Sequence, residues 1–176
     1  MTVYGWELTA KPGGDGSANL ADNCKPPTVN SLMKARIKWV QDVTFLGESG
    51  SGHAVVMDGA PEAGGRNLGV RPMEMVLMGL GGCSAFDVVM ILKRGRQAIE
   101  DCVVELQAER AETDPKVFTK INMHYVITGQ ALDRNKVERA VQLSAEKYCS
   151  ANAMLAKTAD ITHTIEIVER TSNPTT

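Results

Sequence analysis

The side chains in this sequence best suited to covalent chemistry are its cysteines, at positions 24, 83, 102 and 149. Cys83 and Cys149 each lie in a long, mostly apolar stretch with helical patterning, and together they are read as a redox thiol pair. A thiolate is a strong nucleophile, and two neighbouring thiols can share an oxidation by closing a disulfide. No CxxC spacing is present, so neither a zinc site nor a stapled secreted framework is suggested. A free cysteine in an apolar helix ordinarily acts as a small hydrophobe, and Cys102 is read in that way. His53, His124 and His163 could each serve as base to a cysteine nucleophile. All three fall on expected strands, where a solvated or hydrogen-bonded role is commoner.

The elements that must position the pair follow from hydrophobic periodicity. Residues 34–40 alternate, with Ala35, Ile37 and Trp39 on one face and Lys34, Arg36 and Lys38 on the other. Short strands are expected over 43–46 and 53–57, bounded by glycine and serine. A loop rich in Gly, Pro and Ala then leads to Pro72, a favoured first helical residue because its missing N–H would have no partner there. The helix is expected to run from Pro72 to about Arg94, where Lys93 and Arg94 suit the negative end of its dipole. Its middle is apolar nearly all round, which predicts enclosure on most sides. Gly79, Gly81 and Gly82 each cost roughly 0.8–1 kcal/mol against alanine in a helix interior. The compensation expected is the close approach of another helix near Cys83.

Strands are expected over 101–109 and 118–128, followed by a second long helix from an N-cap at Asp133 to about Lys157 and a last strand over 161–168. Val137, Ala140, Val141, Ser144, Tyr148 and Ala151 form the apolar stripe of that helix, with Cys149 beside it. Asp87 and Glu146 share helix faces with the two cysteines and, if close and ionised, would raise the thiol pKa values. This order predicts an α+β class with a largely antiparallel sheet.

Residues 1–32 carry a turn-rich run from Lys11 and the pair Pro26-Pro27 without apolar periodicity, so an extended or disordered arm is expected there. Met33 opens the first patterned segment and is a candidate translation start. Residues 33–170 would form one domain, and 171–176 a short tail. Apolar residues make up 43% and the formal net charge is −2, which gives no reason to expect a nucleic-acid or anionic-membrane partner. The apolar run from Met73 to Leu92 is interrupted by Glu74 and Asp87 and is read as a core helix, not a membrane span. The opening residues lack the pattern of a secretory signal, so a cytoplasmic protein with reduced thiols is expected.

Residues 72–88, PMEMVLMGLGGCSAFDV, and 143–155, LSAEKYCSANAML, resemble the two cysteine helices of the OsmC/Ohr family, nearest its short YhfA-like branch. The resemblance covers about residues 33–169. It implies an OsmC-like fold, with a mostly antiparallel sheet packed against two long cysteine-bearing helices, and an intertwined homodimer with its active sites at the subunit interface. It also implies thiol-dependent reduction of organic hydroperoxides or hydrogen peroxide, with Cys83 peroxidatic and Cys149 resolving through a disulfide. An external dithiol, such as a lipoyl-type one, would regenerate the pair, and no metal or flavin is implied. The family places a glutamate directly after the helix-opening proline, paired with an arginine from a preceding loop. Here Met73 holds that position and the acid is displaced to Glu74, nine residues before Cys83 and so on the opposite face of a continuous helix. Arg66 and Arg71 lie in the corresponding loop, and Arg36 on the first strand. The competing reading from another class is a binding or redox-sensing protein of the same fold with an apolar ligand pocket near Cys83. A phosphate loop is excluded, because the glycines at 79–82 lie inside a helix and lack the P-loop lysine.

Overall fold

The computed structural model describes residues 32–170. Cys24, the expected arm and the tail lie outside the described residues. The chain first builds an antiparallel three-stranded sheet from β1 (Ala35–Gln41), β2 (Thr44–Ser49) and β3 (Ala54–Met57), with β2 central. Asp42 takes a left-handed φ of 47° at the β1–β2 turn. The alternation in β1 is real, but neither face is covered: every residue of this strand is exposed, Trp39 at 64%.

The loop after β3 is organised around one carboxylate. Asp58 accepts hydrogen bonds from the backbone N–H groups of Leu68, Arg66 and Gly59 and from the Thr44 hydroxyl. The Leu68 N–H is the strongest of these influences, and together they hold the carboxyl at a pKa of about 2. The loop delivers the chain to α1 (Pro72–Arg94). Glu74 accepts from the Arg71 backbone N–H and pairs with the Arg71 guanidinium at 2.8 Å, which fixes the first turn.

A second sheet follows, from β4 (Ala98–Arg110), β5 (Phe118–Gln130) and β6 (Asp160–Glu169), again with the middle strand in sequence at the centre. β4 and β5 are antiparallel, whereas β6 lies parallel to β5. The expectation of one largely antiparallel sheet is therefore corrected to two sheets, the second of them mixed. The connection between β5 and β6 is a helical crossover, which returns the chain to the sheet in the same direction.

The core lies between this second sheet and the helices. β5 turns Ile121, Met123, Tyr125 and Ile127 inward at alternate positions, as period two requires, and Phe118 joins them beyond a register shift against β4. Leu80, Ser84, Val88 and Leu92, spaced by four along α1, meet them. Each apolar side chain of this set contributes about 1.5–3 kcal/mol by leaving water. By length and composition α1 could cross a bilayer; here one stripe packs on the second sheet, while Val76, Met78 and Phe86 remain exposed, Phe86 at 67%. Enclosure on most sides is thus not found within the described chain.

Two further expectations change. A side chain at Gly81 would meet Leu106 of β4 at 2.7 Å, so the close neighbour is a strand; Gly79 and Gly82 face open space among the described residues. The second long helix is also broken. α2 (Arg134–Leu143) starts at Asp133, whose carboxylate accepts from the N–H groups of Asn135 and Lys136. A single π-turn follows over Ser144–Tyr148, Cys149 is extended at ψ 101°, and α3 (Ser150–Leu155) begins after it. The π-turn closes with the Cys149 N–H on the Ser144 carbonyl. Asn152 Nδ2 donates to the Ala145 carbonyl, so the break leaves that backbone acceptor satisfied.

Candidate functional site

α1 presents Cys83 and Asp87 one turn apart, and therefore on one face. The break before α3 presents Cys149 to that face. The two Sγ atoms and a carboxylate oxygen of Asp87 all lie within 4.8 Å of one another, and both thiols are free. Cys149 is 2% exposed, whereas Cys83 and Asp87 are half-buried. Cys149 also acts as N-cap of α3: its Sγ accepts from the Asn152 N–H at 3.4 Å. Burial pushes the Cys149 thiol pKa up; the nearby Cys83 and Asp87 add to this, and the Asn152 N–H opposes it.

Behind these groups runs a buried line of hydroxyls. Tyr125 Oη lies 2.6 Å from Ser84 Oγ, and Ser84 Oγ lies 2.9 Å from Ser144 Oγ. Ser144 Oγ donates to Asp87 Oδ2 at 3.2 Å. Burial holds the Tyr125 pKa up at about 12, so the phenol remains a neutral donor. The line joins β5, α1 and the π-turn, and it aims the Asp87 carboxylate. Sequence reasoning did not find Ser84, Tyr125 or Asn152. Ser84 had a signal, a polar residue inside an otherwise apolar helix, since a buried hydroxyl requires a partner.

The other candidates are placed elsewhere. Arg71 and Glu74 are bonded to each other at the start of α1, Glu74 about 13.5 Å of helix rise from Cys83 and Arg71 farther still. Arg66 is exposed in the loop, where its backbone N–H serves Asp58. Glu146 is exposed and accepts from Gln142 Nε2. None of these four hydrogen-bonds or ion-pairs with either thiol among the described residues. Nor does any histidine: His124 contacts Thr164 and Glu166, His53 closes the β2–β3 turn, and His163, its pKa lowered by burial, sits near Tyr125. An apolar groove of about 450 Å³ opens at the start of α1, walled by Met73, Leu77 and Phe118 with Arg71 and Arg110. Cys83 is not among its walls.

Fold and site together define an α+β protein in which a helical thiol faces a second thiol at a helix break. The chain matches the OsmC-like protein family over residues 64–164 and belongs to that family. It is 55% identical over 139 residues to Protein YhfA of Escherichia coli (strain K12), a match covering 77% of this chain and 98% of that one. A crystal structure of a hypothetical protein from Aquifex aeolicus VF5 superposes with a TM-score of 0.71 at 30% identity, covering 80% of this chain and 99% of that one. The organic hydroperoxide resistance protein OhrB of Bacillus subtilis shares the fold, with a TM-score of 0.54 at 18% identity over 77% of this chain and 98% of its own.

Proposed function

We propose that the protein reduces hydroperoxides through the Cys83–Cys149 pair. The carrying observation is the approach of the two sulfurs to within 4.8 Å in a site with one half-open and one closed thiol. Cys83, the more accessible, attacks the distal peroxide oxygen; the O–O bond breaks, the alcohol leaves with the thiol proton, and Cys83 becomes a sulfenic acid. Cys149 then attacks the Cys83 sulfur, the S–O bond breaks, and water leaves with the Cys149 proton as the disulfide forms. An external dithiol, such as a lipoyl-type one, takes the oxidation by exchange. A reducing cytoplasm suits this cycle.

The working unit in this proposal is a homodimer. Its support is the unpartnered apolar surface on α1, at Val76, Met78 and Phe86, together with Trp39 on β1 and Tyr148 and Met154 flanking the second thiol. Patches of that kind mark protein contacts on soluble proteins.

A second reading has one observation in its favour. No lysine or arginine pairs with the thiols or with Asp87 among the described residues, and the group beside the sulfurs is a carboxylate. A slow redox sensor or a binding protein tolerates that environment better than a fast peroxidase does. Stopped-flow oxidation of the reduced protein by hydrogen peroxide, cumene hydroperoxide and a fatty-acid hydroperoxide separates the two. The peroxidase consumes two thiols per chain, loses all reaction in Cys83→Ser, and accumulates a dimedone-reactive sulfenic acid in Cys149→Ser. A wild-type rate no higher than that of free cysteine rejects the peroxidase and leaves the sensor.

A further inference from the structure

Three acidic ligand groups meet at this site, and within the described chain nothing basic is paired with them. We propose that reduced Cys83 and Cys149, with Asp87, form a binding site for a soft divalent cation of the zinc class. Two sulfurs and one carboxylate oxygen are a donor set that zinc accepts, with the fourth position open to water. Bonds of about 2.3 Å to sulfur and 2.0–2.2 Å to oxygen place tetrahedral ligand atoms roughly 3.5–3.8 Å apart. The three atoms already lie within 4.8 Å of one another, so side-chain rotation of an ångström or so closes the set.

The backbone and the surroundings are built to hold such a set. Cys83 and Asp87, at i and i+4 on α1, offer two ligands from one helical face. Cys149 comes from a break whose backbone is fixed by the Cys149 N–H to Ser144 bond of 2.9 Å. Two of the three ligands also carry the outer hydrogen bonds that metal ligands commonly have. Ser144 Oγ donates to Asp87 Oδ2 at 3.2 Å, backed by Ser84 and Tyr125. The Asn152 N–H donates to Cys149 Sγ at 3.4 Å. Buried Leu80, Val88 and Val141 belong to the core around these elements, while half-buried Cys83 and Asp87 leave an entry for the ion.

Binding would set the resting state of the thiol pair. A cation held by both sulfurs withholds them from peroxide. Oxidation releases it: the two thiolates give two electrons to the peroxide, the O–O bond breaks, two protons from solvent complete the alcohol and water, and the disulfide no longer ligates. This consequence rests on the peroxidase reading, whereas the binding itself does not.

The test is titration of the full chain, stripped with a chelator and kept reduced by a phosphine, with zinc alone and with cobalt(II) as a spectroscopic probe. The expected result is one ion per chain, with the sulfur-to-cobalt charge-transfer band and visible absorption of a tetrahedral thiolate site. Cys149→Ser should abolish both. Asp87→Asn should weaken zinc at least tenfold, and Ser144→Ala by about tenfold or more, the usual cost of losing an outer-shell partner. Cys24→Ser and Cys102→Ser should change nothing. Unchanged affinity in Asp87→Asn overturns the three-ligand site and leaves an ordinary dithiol. A requirement for Cys24 or Cys102, or an octahedral cobalt spectrum, overturns it as well. Zinc-loaded protein should lose thiols to peroxide at least ten times more slowly than stripped protein. If stripped protein ignores peroxide, the peroxidase reading fails while the titration still decides the metal site.

Discussion

Replacing Ser84 by alanine tests whether the buried hydroxyl line holds the site together. Ser84 Oγ is the hub, 2.6 Å from Tyr125 Oη and 2.9 Å from Ser144 Oγ. Its loss removes two hydrogen bonds with a net worth of about 0.5–1.5 kcal/mol each. It also strands the phenol of a fully buried tyrosine, whose other neighbour is the weak acceptor Met123 Sδ at 3.9 Å. A buried group left without a partner costs about 1–3 kcal/mol, part of which is already counted in the lost bonds. The expected destabilisation is therefore about 2–4 kcal/mol. At a urea dependence of about 2 kcal/mol per molar, this moves the unfolding midpoint down by roughly 1–2 M. Urea denaturation followed by far-UV circular dichroism, at one fixed protein concentration, reads the shift. Tyr125→Phe made in the Ser84→Ala background removes the stranded phenol and should cost nothing further, giving a coupling of about 1–3 kcal/mol. A Ser84→Ala loss below about 1 kcal/mol, or additivity of the two changes within about 0.5 kcal/mol, refutes the reasoning.

Three other outcomes follow from the same geometry. Asp58, held at about 2 against an ordinary 3.8, contributes stability that is fully present above about pH 4 and is lost as pH falls through about 2; Asp58→Asn should flatten thermal stability between those values, and an unchanged slope would exclude the loop clamp. Iodoacetamide at pH 8 should label Cys83 well before Cys149, which is 2% exposed with its thiol pKa raised by burial; peptide mass mapping that finds the reverse order contradicts the assigned roles. Phe86→Glu places a charge in the exposed apolar face of α1 and should convert the proposed dimer to monomers in sedimentation velocity, whereas a wild-type monomer, or a dimer unaltered by the change, would mean that this face is not a contact between copies.

Much of the fold was legible because its signals are local. Pro72 with a basic last turn bounded α1 at both ends, the alternation over 118–128 marked β5, and Asp133 marked the start of α2. Where patterning misled, the cause was non-local. Apolarity around α1 says that a surface must be covered, but not by what, so the glycines suggested a neighbouring helix where the chain supplies Leu106 of a strand or open space. The break at Cys149 was hidden because the apolar stripe runs through it at near-helical spacing. One π-turn bond and one extended residue suffice to redirect the chain, and neither carries a compositional mark.

The sequence alone determined the family the chain belongs to and the helix that carries Cys83, and it singled out Cys83 and Cys149 from the four cysteines. These depend on residue types and spacings within single segments. Tertiary structure alone decided that the sulfurs face each other across α1 and a helix break, with Asp87 as their third neighbour and Ser84, Ser144 and Tyr125 behind it. It also moved Arg71 and Glu74 out of that company by pairing them with each other. The physical reason is range: helical periodicity is written within a few residues, whereas a hydrogen-bond line joining residues 84, 125 and 144 exists only after the core has packed.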